Sequence, residues 1–237
     1  MADRPILFSA PMVRALLAGR KTQTRRLLKG IEELPNGKFH IHGNGGGLVG
    51  VAEEDVSKHA PDYVRIQPED RVWVKETWRA HAWHGDCVEI AYAAQRGIVG
   101  WSQQHEQIKY PDGNRNAFKY YAPKGPDFWR PSIFMPRWAS RITLVVTDVR
   151  VERLQDITNE DCIAEGVPVH PNENAPRTGP AIDAFARMVG LISHYGAEYR
   201  RIWQEINGAG SWDENPWIIA YTFSVHLGNI DQIARAA

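Results

Sequence analysis

Short runs in which apolar and polar residues alternate recur along the chain and predict a protein rich in β-strands. In residues 70–78, Val72 and Val74 fall on one side of such a strand and Trp73 and Lys75 on the other. The longest run, 140–154, is dominated by β-branched residues and leucine. Further strands are predicted at 6–8, 88–92 and 217–223.

Helical periodicity appears between these strands. Met12, Val13, Leu16 and Leu17 recur at helical spacing after a proline, and Gly19 marks the end of that helix. A second helix is predicted from Thr158 to Glu165, with acidic residues in its first turn and Gly166 as its stop. One or two more helices are expected in 181–206. The mixture predicts an α+β fold, with a small curved or barrel-like sheet and helices at its ends.

Three segments lack clear periodicity: residues 30–68, 97–129 and 168–180. The first contains a glycine-rich stretch, 43–47, between two short apolar runs, which indicates a hairpin tip. No Gly-Lys-Ser/Thr follows it, so it is not a phosphate-binding loop.

Charge is balanced overall but unevenly placed. The 237 residues include 28 Lys and Arg and 28 Asp and Glu, which argues against a general polyanion binder. Residues 20–29 nevertheless carry five cations and no acid. Because no secretory segment or long apolar run is present, we expect a cytoplasmic protein that does not enter the membrane.

The basic segment also carries potential chemistry. Lys21 and Thr24 are three residues apart, and a lysine whose pKa is lowered by burial can activate a hydroxyl nucleophile. Arg20, Arg25 and Arg26 are candidates both for lowering that pKa and for binding an anion. The alternative is a basic surface strand that follows a helix end.

Five segments, in the same order along the chain, resemble the ASCH-domain family, in the form common in phages and prophages. They read PILFSAPMVRALLAGRKTQTRR at 5–26, DRVWVKETW at 70–78, RPSIFMPRWASR at 130–141, LQDIT with AEGV at 154–167, and the tryptophans of 203–217. The resemblance implies a PUA-like β-barrel with a cleft beside its first helix. It also implies one domain over 1–227, with insertions at about 30–68, 81–130 and 167–210, and a peripheral tail at 228–237.

The best-described activity of bacterial ASCH proteins removes the acetyl group from N4-acetylcytidine. Their working lysine and threonine fall on Lys21 and Thr24 here, and the glutamate falls on Glu165. In such a site Thr24 attacks or orients a water, Lys21 takes the proton, and Glu165 holds Lys21 or protonates the leaving amine. Each residue also has a non-catalytic alternative: Glu165 ends a helix, Thr24 is an ordinary strand residue, and Lys21 binds a phosphate.

Substrate contacts are expected from the arginines and from aromatic residues that stack on a pyrimidine, with Trp78, Trp138 and Phe8 as candidates. Glu76 either accepts a cytosine N4–H or forms a structural ion pair with arginine. His81, His84, Asp86 and Cys87 lie within seven residues, but no second ligand cluster with zinc spacing is evident, so we predict no metal and no cofactor.

Two functions of different classes fit this sequence. The first is an amidohydrolase that acts on an N4-acylated cytosine nucleoside. The second is a non-catalytic module that binds RNA or a modified nucleobase in the same cleft, and ribonuclease activity is a further possibility. The occurrence of Lys21, Thr24 and an acid together favours the enzyme, because a non-catalytic binding module needs no hydroxyl beside a lysine. The sequence leaves the oligomeric state open.

Overall fold

The computed structural model describes residues 2–43, 46–83, 87–95, 106–109, 128–168 and 193–233. In chain order the strands are β1 (Asp3–Leu7), β2 (Gln23–Leu27), β3 (Ile31–Glu33), β4 (Phe39–Gly43), β5 (Gly46–Val51), β6 (Arg71–Lys75), β7 (Trp78–Trp83), β8 (Cys87–Tyr92), β9 (Glu106–Lys109), β10 (Ile142–Arg153) and β11 (Trp217–Leu227). The helices are α1 (Ala10–Leu17), α2 (Glu53–His59), α3 (Asn159–Ala164) and α4 (His194–Asn207).

The chain folds into two compact units, each assembled from separate segments. One comprises Met1–Gly19, Asp70–Val145 and Ser224–Ala237, and the other comprises Arg20–Glu69 and Val146–Phe223. The long strands β10 and β11 each contribute residues to both units. The organisation predicted for 1–227, one domain with insertions, stays a prediction.

In the first unit, β1 pairs parallel with β6, and β6 pairs antiparallel with β10. A separate antiparallel sheet contains β7, β8 and β9. Its buried face forms a core with residues of the 130s, in which Trp78 and Tyr92 are fully buried. Helix α1 begins at Ala10 with a proline in its first turn, and Gly19 follows it at a φ of 68°, as the sequence predicts.

In the second unit, β2 pairs antiparallel with β11, and β3, β4 and β5 form a three-stranded antiparallel sheet. Helices α3 and α4 pack over the inner side of β11. Their shared core contains Cys162, Tyr199, Trp203, Ile218 and Ala220, among other buried residues.

Residues 30–68 are more regular than their sequence predicts. They contain β3, β4, β5 and α2, and the hairpin predicted around the glycine-rich stretch is present. Positive φ angles at Gly30 and Gly50 and a bulge between Phe39 and His40 interrupt the alternation. These irregularities interrupt the period-2 pattern that marks a strand in the sequence.

The α+β class is therefore confirmed. No closed barrel is formed by the strands described, so the PUA-like barrel stays a prediction. Across the described helices, none has both the length and the apolar character needed to cross a membrane.

Candidate active site

The residues that precede β2 are held against the end of helix α3. The Thr22 N–H donates to the Ala164 carbonyl at 2.8 Å, and the Phe223 N–H donates to the Thr22 carbonyl at 2.9 Å. Helix α3 itself starts with a capping box, in which the Thr158 hydroxyl accepts from the Asp161 N–H and the Asp161 carboxylate accepts from the Thr158 N–H. The backbone around Thr22 and the end of helix α3 are thereby fixed side by side.

Lys21 and Glu165 meet at this junction. Lys21 is fully buried, and its Nζ donates to Glu165 Oε2 at 2.7 Å and to the Glu165 carbonyl at 2.8 Å. Burial lowers the pKa of Lys21, although the ion pair with Glu165 opposes that change. The sequence could not establish whether Glu165 reaches Lys21, and the structure brings the two side chains into direct contact.

Arg25 completes the same cluster. Its guanidinium is fully buried and lies 2.7 Å from Glu152 Oε1, 2.8 Å from Asp161 Oδ2 and 3.4 Å from Glu165 Oε1. Burial alone would lower the pKa of Arg25, but the surrounding carboxylates raise it above its ordinary value. Arg25 is therefore a fixed cation beside the Lys21–Glu165 pair, and it adds to the lowering of the Lys21 pKa.

Gln23 and Arg150 extend this cluster into a network. Gln23 accepts from Arg25 and donates to Asp161 Oδ1 at 3.1 Å, while Arg150 Nη2 donates to the same oxygen at 2.8 Å. Desolvation opposes ionisation of Asp161, but Arg25 and Arg150 outweigh it and lower the pKa of that carboxyl. Three cations (Lys21, Arg25 and Arg150) thus face three carboxylates (Glu152, Asp161 and Glu165).

Thr24 lies on the other face of β2. Side chains alternate along a strand, so the neighbours that point towards α3, Gln23 and Arg25, direct Thr24 away from it. Thr24 is 1% exposed and pairs across the strands with Tyr221. Its Oγ1 has no hydrogen-bond partner within the part of the chain that the structure describes. The structure therefore brings Lys21 and Glu165 together but does not hydrogen-bond Thr24 to either.

The other predicted arginines differ in exposure. Arg20 is exposed, and its Nη1 donates to the Gly166 carbonyl at 3.2 Å. Arg26 is half-buried, and burial lowers its pKa against the opposing effect of Glu165, Tyr199 and Tyr221. Of the two, Arg20 is the more available to a solute.

The remaining predicted substrate contacts belong to the first unit. Glu76 is buried, and its carboxylate accepts from Arg141 through Nε at 2.9 Å and Nη2 at 3.2 Å. Trp78 is fully buried and meets Trp138 edge-to-face, with ring centroids 6.3 Å apart. Phe8 is also buried. Trp138 is half-buried and therefore the more accessible of the two tryptophans.

Sequence reasoning missed several members of the cluster. Glu152 and Arg150 lie on β10, Asp161 lies on α3, and Tyr199 lies on α4. Burial raises the pKa of Tyr199, and Glu165 adds to that increase. The sequence marks Asp161 only as part of a helix start, and no local motif places any of these residues in the site, because only the packing of α3 and α4 against β2 and β11 brings them together.

The stretch from His81 to Cys87, which begins within β7, is only partly described. His84 and Asp86 lie outside the described residues, as do the side chain of Cys87 and most of the segments 97–129 and 168–180. Cys162, the other cysteine, is buried in the core of the second unit.

Comparison of the chain with protein-family models, with curated proteins and with solved structures gives no significant match.

Proposed function

We propose that the protein is an amidohydrolase that removes the acyl group from the exocyclic N4 of an acylated cytosine nucleoside. The observation that carries the proposal is the buried Lys21–Glu165 pair, three residues from a buried threonine hydroxyl with no hydrogen-bond partner in the described ranges. The substrate class comes from the resemblance to ASCH proteins, and the PUA-like barrel belongs to the same proposal.

The environment of Lys21 supports its role as a base. A lysine in water is protonated at neutral pH and cannot accept a proton. Burial shifts Lys21 towards its neutral form, and the two neighbouring cations, Arg26 and Arg25, act in the same direction. Glu165 holds Nζ in place through its carboxylate and its carbonyl, which supports a positioning role for that residue.

The state of Thr24 supports its role at the reacting carbon. Leaving a buried hydroxyl without a hydrogen bond costs roughly 1–3 kcal/mol, so such groups in a folded protein call for an explanation. A hydroxyl with free lone pairs is available to attack a carbonyl or to orient a water. The tetrahedral oxyanion that follows needs a cation on the same face of β2, and Arg26, two residues from Thr24, meets that requirement.

In the proposed reaction, Thr24 Oγ1 bonds to the acyl carbon, and its proton passes through a water to the neutral form of Lys21, which burial favours. The bond between the acyl carbon and N4 then breaks, and the amine leaves with the proton from Lys21. Water hydrolyses the resulting threonine ester and releases the carboxylic acid. If Thr24 instead orients the water, that water attacks the acyl carbon directly and the products are the same.

The test is to incubate the protein with N4-acetylcytidine and measure the release of cytidine by chromatography. We expect turnover by the wild type and none by Lys21→Met. Lys29→Met is the matched control, because it removes an exposed lysine from the same basic segment and should keep full turnover. Binding of the nucleoside without release of cytidine would contradict the proposal and favour a non-catalytic module that binds the nucleobase.

A further inference from the structure

The outward face of β4 carries two histidines next to a glutamate on β3. Phe39 and Ile41 of β4 are buried in the second unit, so the alternating residues His40 and His42 lie on the opposite, solvent-facing side. Glu32 is paired directly across from His40 in the antiparallel register. The fold thus places two imidazoles and one carboxylate on one face of a small sheet.

The donor atoms of these three side chains converge. One ligand atom from each residue lies within 4.8 Å of the other two. His42 Nε2 and Glu32 Oε2 are 3.4 Å apart, and the two imidazole centroids are 3.7 Å apart with the ring planes inclined at 40°. Ligands about 2.0–2.1 Å from a tetrahedral ion are about 3.3 Å from one another, so one edge is already near that length. Small rotations of the exposed side chains would shorten the others.

The neighbouring strand β5 leaves room for the His40 ring beside these donors. Gly47 on β5 is paired with His42, and a Cβ at Gly47 would lie 2.9 Å from His40 Nε2. Only a glycine therefore lets the His40 ring occupy its position. The other two side chains are open to solvent, with His42 50% and Glu32 67% exposed. An ion can reach the donors from solution and keep water on its remaining positions.

We propose that Glu32, His40 and His42 form a binding site for a divalent transition-metal ion of borderline softness, represented by Zn²⁺. Two imidazole nitrogens and one carboxylate oxygen are donors that such ions prefer, whereas Mg²⁺ and Ca²⁺ prefer oxygen ligands alone. A metal-free ion pair between Glu32 and His42 is the competing explanation. It accounts for two of the three residues but not for the convergence of His40.

Isothermal titration of the full-length protein, with any affinity tag removed, with Zn²⁺ tests the site. Because changing groups that merely support a ligand typically weakens metal binding by about 10–100-fold, loss of a direct ligand should weaken it at least about tenfold. We expect one saturable site in the wild type and at least that loss in His40→Ala, His42→Ala and Glu32→Gln. Mg²⁺ in excess should not compete.

Two matched controls separate ligation from general charge effects. Glu33→Gln removes the same charge from the adjacent, also exposed residue, and His226→Ala removes an exposed histidine on β11. Both should bind Zn²⁺ like the wild type. The proposal is overturned if the wild type shows no saturable binding, if His42→Ala binds as well as the wild type, or if Glu33→Gln and Glu32→Gln weaken binding equally. Binding is read directly, so the result is independent of the proposed hydrolase.

Discussion

At the scale of single residues, Lys21 and Glu165 form an ion pair from which water is almost wholly excluded. Their side chains are 0% and 4% exposed. Removing one partner of such a pair leaves an uncompensated buried charge, whereas replacing both with apolar residues is often neutral or stabilising. The contribution of the pair to stability can therefore be measured independently of any catalytic role, by comparing single and double replacements.

We predict that Lys21→Met lowers the free energy of unfolding by about 3–5 kcal/mol, because it removes the cation that contacts the buried Glu165 carboxylate most closely. The double variant Lys21→Met, Glu165→Met should recover most of that loss. Urea unfolding of the wild type, both single variants and the double variant measures the coupling. A loss below about 1 kcal/mol in Lys21→Met would show that the pair is not buried as described.

The lowered pKa of Lys21 also predicts a pH dependence of stability. Between the lowered pKa and the ordinary value of 10.5, the unfolded chain binds more protons than the folded protein, so the free energy of unfolding rises with pH. Tyr199 acts in the opposite direction above pH 10, because its pKa is raised in the folded protein. Comparison with Lys21→Met cancels the contribution of Tyr199.

In that comparison, the stability of the wild type relative to Lys21→Met should increase as the pH is raised towards 10.5. Urea unfolding at a series of alkaline pH values measures it. A relative stability that falls over this range would mean that the ion pair, and not burial, dominates the pKa of Lys21.

At the scale of elements, helix α3 links a local sequence signal to the site. Thr158 and Asp161 form its capping box, and the same Asp161 carboxylate pairs with Arg25. The Glu165 backbone caps the other end of the helix. The start and end of α3 were therefore predictable from Thr158 and Gly166, since capping acts through residues three or four positions apart. The partners of Arg25 were not.

We predict that Thr158→Ala lowers the free energy of unfolding by about 1 kcal/mol, because the Asp161 N–H loses its side-chain acceptor. Thr158→Ser keeps a hydroxyl at the cap and should lose less than half as much. Chemical denaturation of both variants tests this. Equal losses in the two variants would mean that the methyl group, and not the cap, stabilises the helix start.

At the scale of the whole molecule, the balanced net charge conceals how the basic segment is used. Of the cations in 20–29, Lys21 and Arg25 are neutralised internally by carboxylates from residues 152–165, so they are not an open surface for a polyanion. Counting charges along the sequence could not reveal this, because the partners lie more than a hundred residues away.

The periodic strands and helices were predictable because their signals are local. In residues 31–51 the hairpin of β4 and β5 was predicted from its glycine-rich stretch, whereas the three-residue strand β3 was not.

The assignment of residues to the two units could not be predicted from sequence order either, because each unit is assembled from separate segments of the chain. Lys21, Thr24 and Glu165 belong to one unit, while Glu76, Trp78 and Trp138 belong to the other. The resemblance to ASCH proteins assigns all six to one cleft, and that assignment stays a prediction. Within the first unit, Arg141 occupies both carboxylate oxygens of Glu76, an arrangement that a strand pattern around residues 70–78 does not indicate.

The most direct test of the hydrolytic site is the rate of cytidine release from N4-acetylcytidine by Thr24→Val, measured beside its stability in urea. Valine replaces a hydroxyl that has no hydrogen-bond partner in the described structure, so the fold should be as stable as the wild type or more so. Thr22→Val, at an exposed threonine of the same segment, is the control and should keep turnover. Loss of turnover in a stable Thr24→Val is the predicted result. Full turnover by that variant would contradict the assignment of Thr24 and, with it, the proposed mechanism.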